Sequence, residues 1–280
     1  MRYLRIAVQL LISLVVAALT AGYIGRIIWQ RSVRADFARL DSRAAREPAS
    51  AGRDSSATVP PPVARYFAYA IPLHTPAIRR AEIVWSGEFL VRANDSWRPF
   101  SATEVFTVRP PGLVWSASIA WQSLLPIDVE DSYVDGSARM RGKVASIFSI
   151  VDERDTPELG TAALQRYLAE CAWLPTALLP QSGVEWTPVD DSTARATLID
   201  HEVRASAEFH FAASGEIQRV SALRYRSTPN GMVPARWVGT FNGYTRVHGM
   251  MVPGSAEVEW ELPEGRSPYW RGRLDSAKYE

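Results

Sequence analysis

From Ile6 to Gly25 the chain reads IAVQLLISLVVAALTAGYIG, twenty residues without one charged side chain. A helix of roughly this length spans the hydrocarbon core of a bilayer. Arg2 and Arg5 precede the run, and Tyr23, Arg26 and Trp29 mark its far edge, as aromatic and basic side chains do at a membrane interface. A cleaved signal peptide is the competing reading, because Leu19-Thr20-Ala21 before Gly22 is a poor but usable cleavage site. The length of the run, and the apolar Ile27, Ile28 and Trp29 beyond Arg26, favour a retained anchor over residues 1–31. Residues 32–62 read as a helical extension followed by a linker rich in Pro, Ala and Ser, which has little to bury. The remaining residues, 63–280, suffice for one large domain.

In that remainder the apolar period changes from 3.6 to 2. Val63, Tyr66, Phe67 and Ala70 fall at helical spacing after the prolines at 60–62, which suits a short helix. Beyond it, Leu113, Trp115, Ala117, Ile119 and Trp121 share one face of a half-buried strand, and Val258, Trp260 and Leu262 alternate with three glutamates. Asp135-Gly136, Ser214-Gly215 and Asn230-Gly231 supply tight-turn residues between such runs. The pattern predicts a mainly β domain, of the α+β class: a large twisted antiparallel sheet of about ten strands, or a half-barrel, cupping one central helix.

That helix is predicted over 157–179, with Thr156 as its N-cap and Pro157 at its first position. Leu164, Tyr167, Leu168, Cys171 and Leu174 make its apolar side, and Gln165, Arg166 and Glu170 its polar one. Those charges and the prolines at 175 and 180 exclude a second membrane span. One helix does not cover the face of so broad a sheet, which must then be closed by side chains, loops or a bound apolar molecule.

The runs PPPVARYFAYAIP, WRPFSATEVFTVRPPGLVWSA, YVDGSARM, TPELGTAALQRYLAECAWLPTALLP and SPYWRGRLDSAKYE resemble a family of uncharacterised bacterial membrane-anchored proteins, defined only as a domain of unknown function. The resemblance covers the chain from about residue 60 onward and brings no catalytic residues with it. In fold plan alone the chain is also similar to the periplasmic lipoprotein carriers of the LolA and LolB type, which implies a carrier or sensor of apolar molecules. Resemblance implies an extracytoplasmic domain. The arginines at 26, 31, 34, 39, 43 and 46, after only two before the apolar run, imply a cytoplasmic one.

Residue chemistry narrows the function further. A formal net charge of +1 gives no basic surface for nucleic acid. The single cysteine, Cys171, excludes an internal disulfide and a cysteine-built zinc site. Asp128, Glu130, Asp131 and Asp135 cluster without the spacing of a calcium loop, and His74, His201, His210 and His248 are dispersed, so no metal site is assigned. No nucleophile elbow, phosphate loop or dinucleotide glycine pattern is present. The reading is therefore a non-enzymatic, membrane-anchored domain of the bacterial envelope without cofactor, whose partners are the membrane and a lipid or other apolar small molecule. Phe89, Trp115, Trp121 and Trp260 are expected to surround that ligand from the sheet, and Leu168 and Trp173 from the helix. A scaffold with a filled core, or an enzyme lacking recognisable motifs, stands as the alternative.

The anchor has a direct test. The protein should stay in the membrane fraction through a carbonate wash, and a reporter fused after Glu280 should be active only outside the cytoplasm. A mature N-terminus at Gly22 would identify a cleaved signal instead.

Overall fold

A computed structural model describes residues 2–44, 58–92, 95–122, 125–229 and 231–280. The apolar run forms the first half of α1 (Arg2–Ala44), a helix without interruption that is long and apolar enough to cross a membrane. The predicted extension of the anchor is its second half, and most of the predicted linker, residues 45–57, lies outside the described residues. A short α2 (Pro61–Ala70) follows, with prolines in its first turn.

The strands are β1 (Arg80–Phe89), β2 (Arg98–Thr107), β3 (Gly112–Gln122), β4 (Leu125–Val134), β5 (Ser137–Val144), β6 (Phe148–Arg154), β7 (Glu185–Pro188), β8 (Thr193–Asp200), β9 (Val203–Phe211), β10 (Ile217–Thr228), β11 (Gly231–Asn242), β12 (Thr245–Val247), β13 (Met250–Val252), β14 (Ser255–Leu262) and β15 (Gly265–Tyr279). Thirteen of them form one antiparallel sheet in the order β6-β5-β4-β3-β2-β1-β15-β14-β11-β10-β9-β8-β7, and β12 pairs only with β13. The sheet exceeds the expected ten strands because β5, β6, β7 and β8 are short and partly polar, so their alternation is weak in sequence. Asp135 and Gly136 both take positive φ in the β4–β5 hairpin, as their turn chemistry predicts.

Curling brings distant strands together through side chains. Ser227 on β10 donates to Glu153 on β6 at 3.0 Å, and the Tyr133 hydroxyl on β4 donates to Asp200 on β8 at 2.8 Å. The result is a half-barrel.

Inside the half-barrel lies α3 (Pro157–Glu170). The Thr156 hydroxyl accepts the Leu159 N–H at 3.2 Å, and Pro157 opens the first turn. The helix ends nine residues before the predicted 179, and short 3-10 turns follow at Cys171–Trp173, Pro175–Leu178 and Pro180–Ser182. Pro175 has no N–H to offer the Cys171 carbonyl, which the Leu174 N–H takes instead at 3.0 Å.

On the opposite, convex face the second half of α1 docks across β2, β3 and β4. Leu40 is 1% exposed among Val105, Val114 and Val134. Gly112 leaves it room, since a Cβ there would stand 2.5 Å from a Leu40 methyl. Beneath the helix, Arg141 grips Glu130 through two hydrogen bonds of 2.6 and 3.1 Å, reaches Ser32 at 2.7 Å and Asp36 at 3.2 Å, and lies over the Trp29 ring. Arg80 holds Asp41 at 2.7 Å, and Arg43 pairs with Asp135. Glu130, one of the clustered acidic residues of the sequence, is thus covered by the helix and buried. Burial pushes its carboxyl up to about 7, against the pull of Arg141.

Leu40→Ala should release the docked half of α1, because removing a buried leucine costs about 2–5 kcal/mol. Hydrogen exchange should then show at least about tenfold less protection over residues 30–44, with α3 and the central strands unchanged. Unchanged protection of residues 30–44 would refute the docking.

Candidate ligand site

Between the concave face and α3 lies a cavity of about 820 Å³. β1 contributes Phe89, β3 Trp115, β4 Val129, β5 Met140, β11 Trp237, β14 Val258 and Trp260, and β15 Tyr269 and Trp270. Leu159, Ala162 and Ala163 close it from α3. Alternation accounts for this wall, since Phe89, Trp115, Val258 and Trp260 all occupy inward positions of their strands. Trp260 and Tyr269 stack with centroids 6.2 Å apart, and the Trp237 indole N–H donates to the Tyr269 hydroxyl at 2.9 Å.

Of the six residues expected around a ligand, Phe89, Trp115 and Trp260 line this cavity. The other three are placed elsewhere. Leu168 is fully buried in the core on another side of α3. Trp173 sits in the first 3-10 turn, where its ring meets Trp85 edge-on at 4.7 Å and its N–H donates to the Pro253 carbonyl. Trp121, half-buried at the β3–β4 register shift between Ala120 and Gln122, packs against the main core without lining the cavity.

The predicted polar side of α3 faces protein rather than water, which corrects the sequence reading. Gln165 is buried and donates to the Ser206 and Leu223 carbonyls. Arg166 binds three carboxylates: Glu170 at 2.8 Å, Asp131 at 2.7 Å and Glu104 at 3.0 Å, from α3, β4 and β2. Its guanidinium lies over the Trp115 ring at 5.1 Å. Glu104 is 1% exposed, and its second oxygen accepts the Trp85 indole N–H at 2.9 Å. Burial and the nearby Glu170 carboxylate push Glu104 well above the usual carboxylate range, while Arg166 pulls it down. Burial disfavours charge on Arg166, but Glu170, Glu104 and Asp131 together hold its pKa well above the ordinary value.

Sequence reasoning missed Arg166, Glu104 and Asp131 because isolated charges in amphipathic elements read as solvated. It also missed Arg224, which is buried against the cavity and donates to the Ala162 carbonyl at 2.9 Å. Its inward position on β10, between the exposed Leu223 and the half-buried Tyr225, was the available signal. Among the described residues, no group of three His, Cys, Asp or Glu side chains is placed to hold a metal ion.

Residues 57–279 match a family described as a family of unknown function, DUF6920. No functionally curated protein matches the chain. Among solved structures it is similar to a LolA superfamily protein from Nitrosomonas europaea, at 9% identity, covering 78% of this chain and 92% of that one with a TM-score of 0.42. It is likewise similar to a DUF1329 family protein from Desulfovibrio piger ATCC 29098, at 9% identity, covering 72% and 86% with a TM-score of 0.39.

Removing Arg166 strands three carboxylates in the interior, so Arg166→Ala should cost about 3–5 kcal/mol of unfolding free energy. Without its cation, Glu104 has a folded pKa further above its unfolded one. Stability in the variant is then retained at low pH and lost as pH rises, so the deficit against the wild type should be larger near pH 8 than near pH 5. Urea titrations at both values measure it; a deficit below about 0.5 kcal/mol, or one independent of pH, contradicts the ion cluster.

Proposed function

The chain belongs to this family of unknown function, DUF6920, and we propose from its own geometry that it is a single-pass membrane-anchored domain of the bacterial envelope that binds a lipid or another apolar ligand. The observation that carries the reading is the cavity. Its volume, about 820 Å³, falls in the range of small-molecule sites, roughly 300–1,000 Å³, whereas a filled core leaves few voids larger than a water molecule. Its wall is mostly aromatic and aliphatic, so each methylene of an acyl chain buried there contributes about 0.8 kcal/mol. The filled-core scaffold accounts for Trp85, Trp173 and Phe241, whose rings interlock beside the cavity, but not for the open space.

The non-catalytic reading is supported by how Glu104 is held. This carboxyl, pushed well above its ordinary pKa, lies behind the cavity wall with both oxygens engaged. It has no free oxygen with which to reach a ligand.

Two features support the membrane reading. The apolar half of α1 is exposed along its length, and its first buried residue is Trp29. At the end of the apolar run, Gly25 packs against the β5–β6 hairpin, where a Cβ would stand 3.0 Å from Ile147. That hairpin exposes Phe148 at 68% and Ile150 at 55%, at the level where a bilayer surface would lie. The domain is assigned to the extracytoplasmic side, following the family resemblance.

The full-length protein, purified from cells and extracted with organic solvent, should release an acyl-bearing lipid in near-stoichiometric amount. Val258→Trp fills the cavity and should lose that lipid while α1 remains in place. Equal lipid in both proteins would assign it to the anchor, and none in either would leave the filled-core scaffold as the better account.

A further inference from the structure

We propose that the ligand carries one anionic head, a carboxylate or a phosphate, received by Arg224 with Arg226; the inference rests on the cavity being a ligand site. Arg224 is 8% exposed and lines the cavity. One nitrogen donates to the Ala162 carbonyl at 2.9 Å, the guanidinium lies over the Trp237 ring at 4.7 Å, and Nε has no hydrogen-bond partner among the described residues. No carboxylate among the described residues pairs with it. Asp131 and Glu170 act on it only from beyond ion-pair distance; each bonds Arg166 through one oxygen, and the second Glu170 oxygen has no hydrogen-bond partner among the described residues.

This contrasts with Arg166 and Arg141, the other well-buried arginines described above, each of which grips at least two carboxylates. A buried cation without an opposite charge is costly, and burial pulls the Arg224 pKa below its usual value. Two residues along the same strand face, Arg226 lines the same cavity, half-buried and also without an ion pair among the described residues. The buried Trp115 indole N–H, a third donor in this wall, has no acceptor among them.

Carboxylate and phosphate oxygens match such a set of donors, and arginine is suited to both through its planar fork. The ligand then lays its chain against Phe89, Trp115 and Trp260 and turns its acid group toward β10.

Native mass spectrometry of the full-length protein with laurate, dodecyl phosphate and dodecanol separates head from chain. Wild-type protein should bind at least one of the two anions about tenfold or more tighter than dodecanol. Arg224→Met should bring all three within about twofold of one another and leave dodecanol binding unchanged. Arg226→Gln, nearer solvent, should lower anion binding about threefold and serves as the test should Arg224→Met not fold. A preference for laurate identifies a fatty-acid head, and one for dodecyl phosphate a phospholipid-like head. Equal binding of all three by the wild type, an equal loss of all three in Arg224→Met, or an unaltered preference in Arg226→Gln would overturn the inference while leaving an apolar ligand site. Failure of the wild type to bind any of the three would remove the ligand site itself.

Discussion

Arg166 ties the half-barrel together. A helix lying against the concave face of a curled sheet is free to slide or to sink into it, unless something fixes both its height and its rotation. The guanidinium of Arg166 does both, because it bonds Glu170 one turn further along α3 and, beyond the helix, Asp131 on β4 and Glu104 on β2. Replacing such a cluster by apolar side chains is often neutral or stabilising in other proteins, so its use here is better ascribed to position than to stability. By holding α3 between β2 and β4 on one side and β9 and β10 on the other, it leaves a space toward β1, β14 and β15 that the helix does not fill. The apolar wall of that space is the basis of the functional reading.

The two faces of the sheet thereby carry different tasks. On the convex face, Arg141 and Arg80 pair with Asp36 and Asp41 of the docked helix, with Leu40 in a small apolar patch between them. On the concave face, aromatic side chains surround the cavity. β3 and β4 serve both: Val114 and Glu130 point to the anchor helix, whereas their neighbours Trp115 and Asp131 point to α3 and the cavity. The docked half of α1 and the aromatic wall of the cavity are thus built on opposite sides of the same two strands. Under the proposed anchoring, this arrangement would fix the cavity relative to the bilayer instead of leaving it to swing on a tether. The turns joining β1 to β2, β5 to β6 and β14 to β15 share one rim of the sheet, as connections in a meander must. Leu90, Val91 and Glu264 from that rim line the cavity, and Ile147 and Phe148 on it meet or neighbour the end of the apolar run.

Local patterns made much of the fold legible. Alternation placed Trp115 and Trp260 on the inner face, and Thr156-Pro157 marked the start of α3, because both signals act over a few residues. Signals that depend on distant residues were not legible. Trp121 reads as a cavity residue but stands at a register shift and packs against the core outside the cavity lining, and Trp173 reads as helical until Pro175 ends the helix early and turns its ring toward Trp85. The charged residues were the larger omission. Arg166 and Glu130 stand in sequence as solvated residues would, and only their partners on other elements, 11 to 62 positions away along the chain, make them interior. Docking of α1 was illegible for the same reason, since Leu40 in a polar segment shows its burial only beside Gly112.

Whether an apolar chain lies between the sheet and α3 is tested most directly by photocrosslinking the full-length protein with a diazirine-bearing fatty acid and mapping the labelled peptides by mass spectrometry. Labels are expected on the strands that hold Phe89, Trp115 and Trp260 and on the Leu159–Ala163 segment of α3. Labels confined to the apolar half of α1, or spread over the convex face, would contradict that placement.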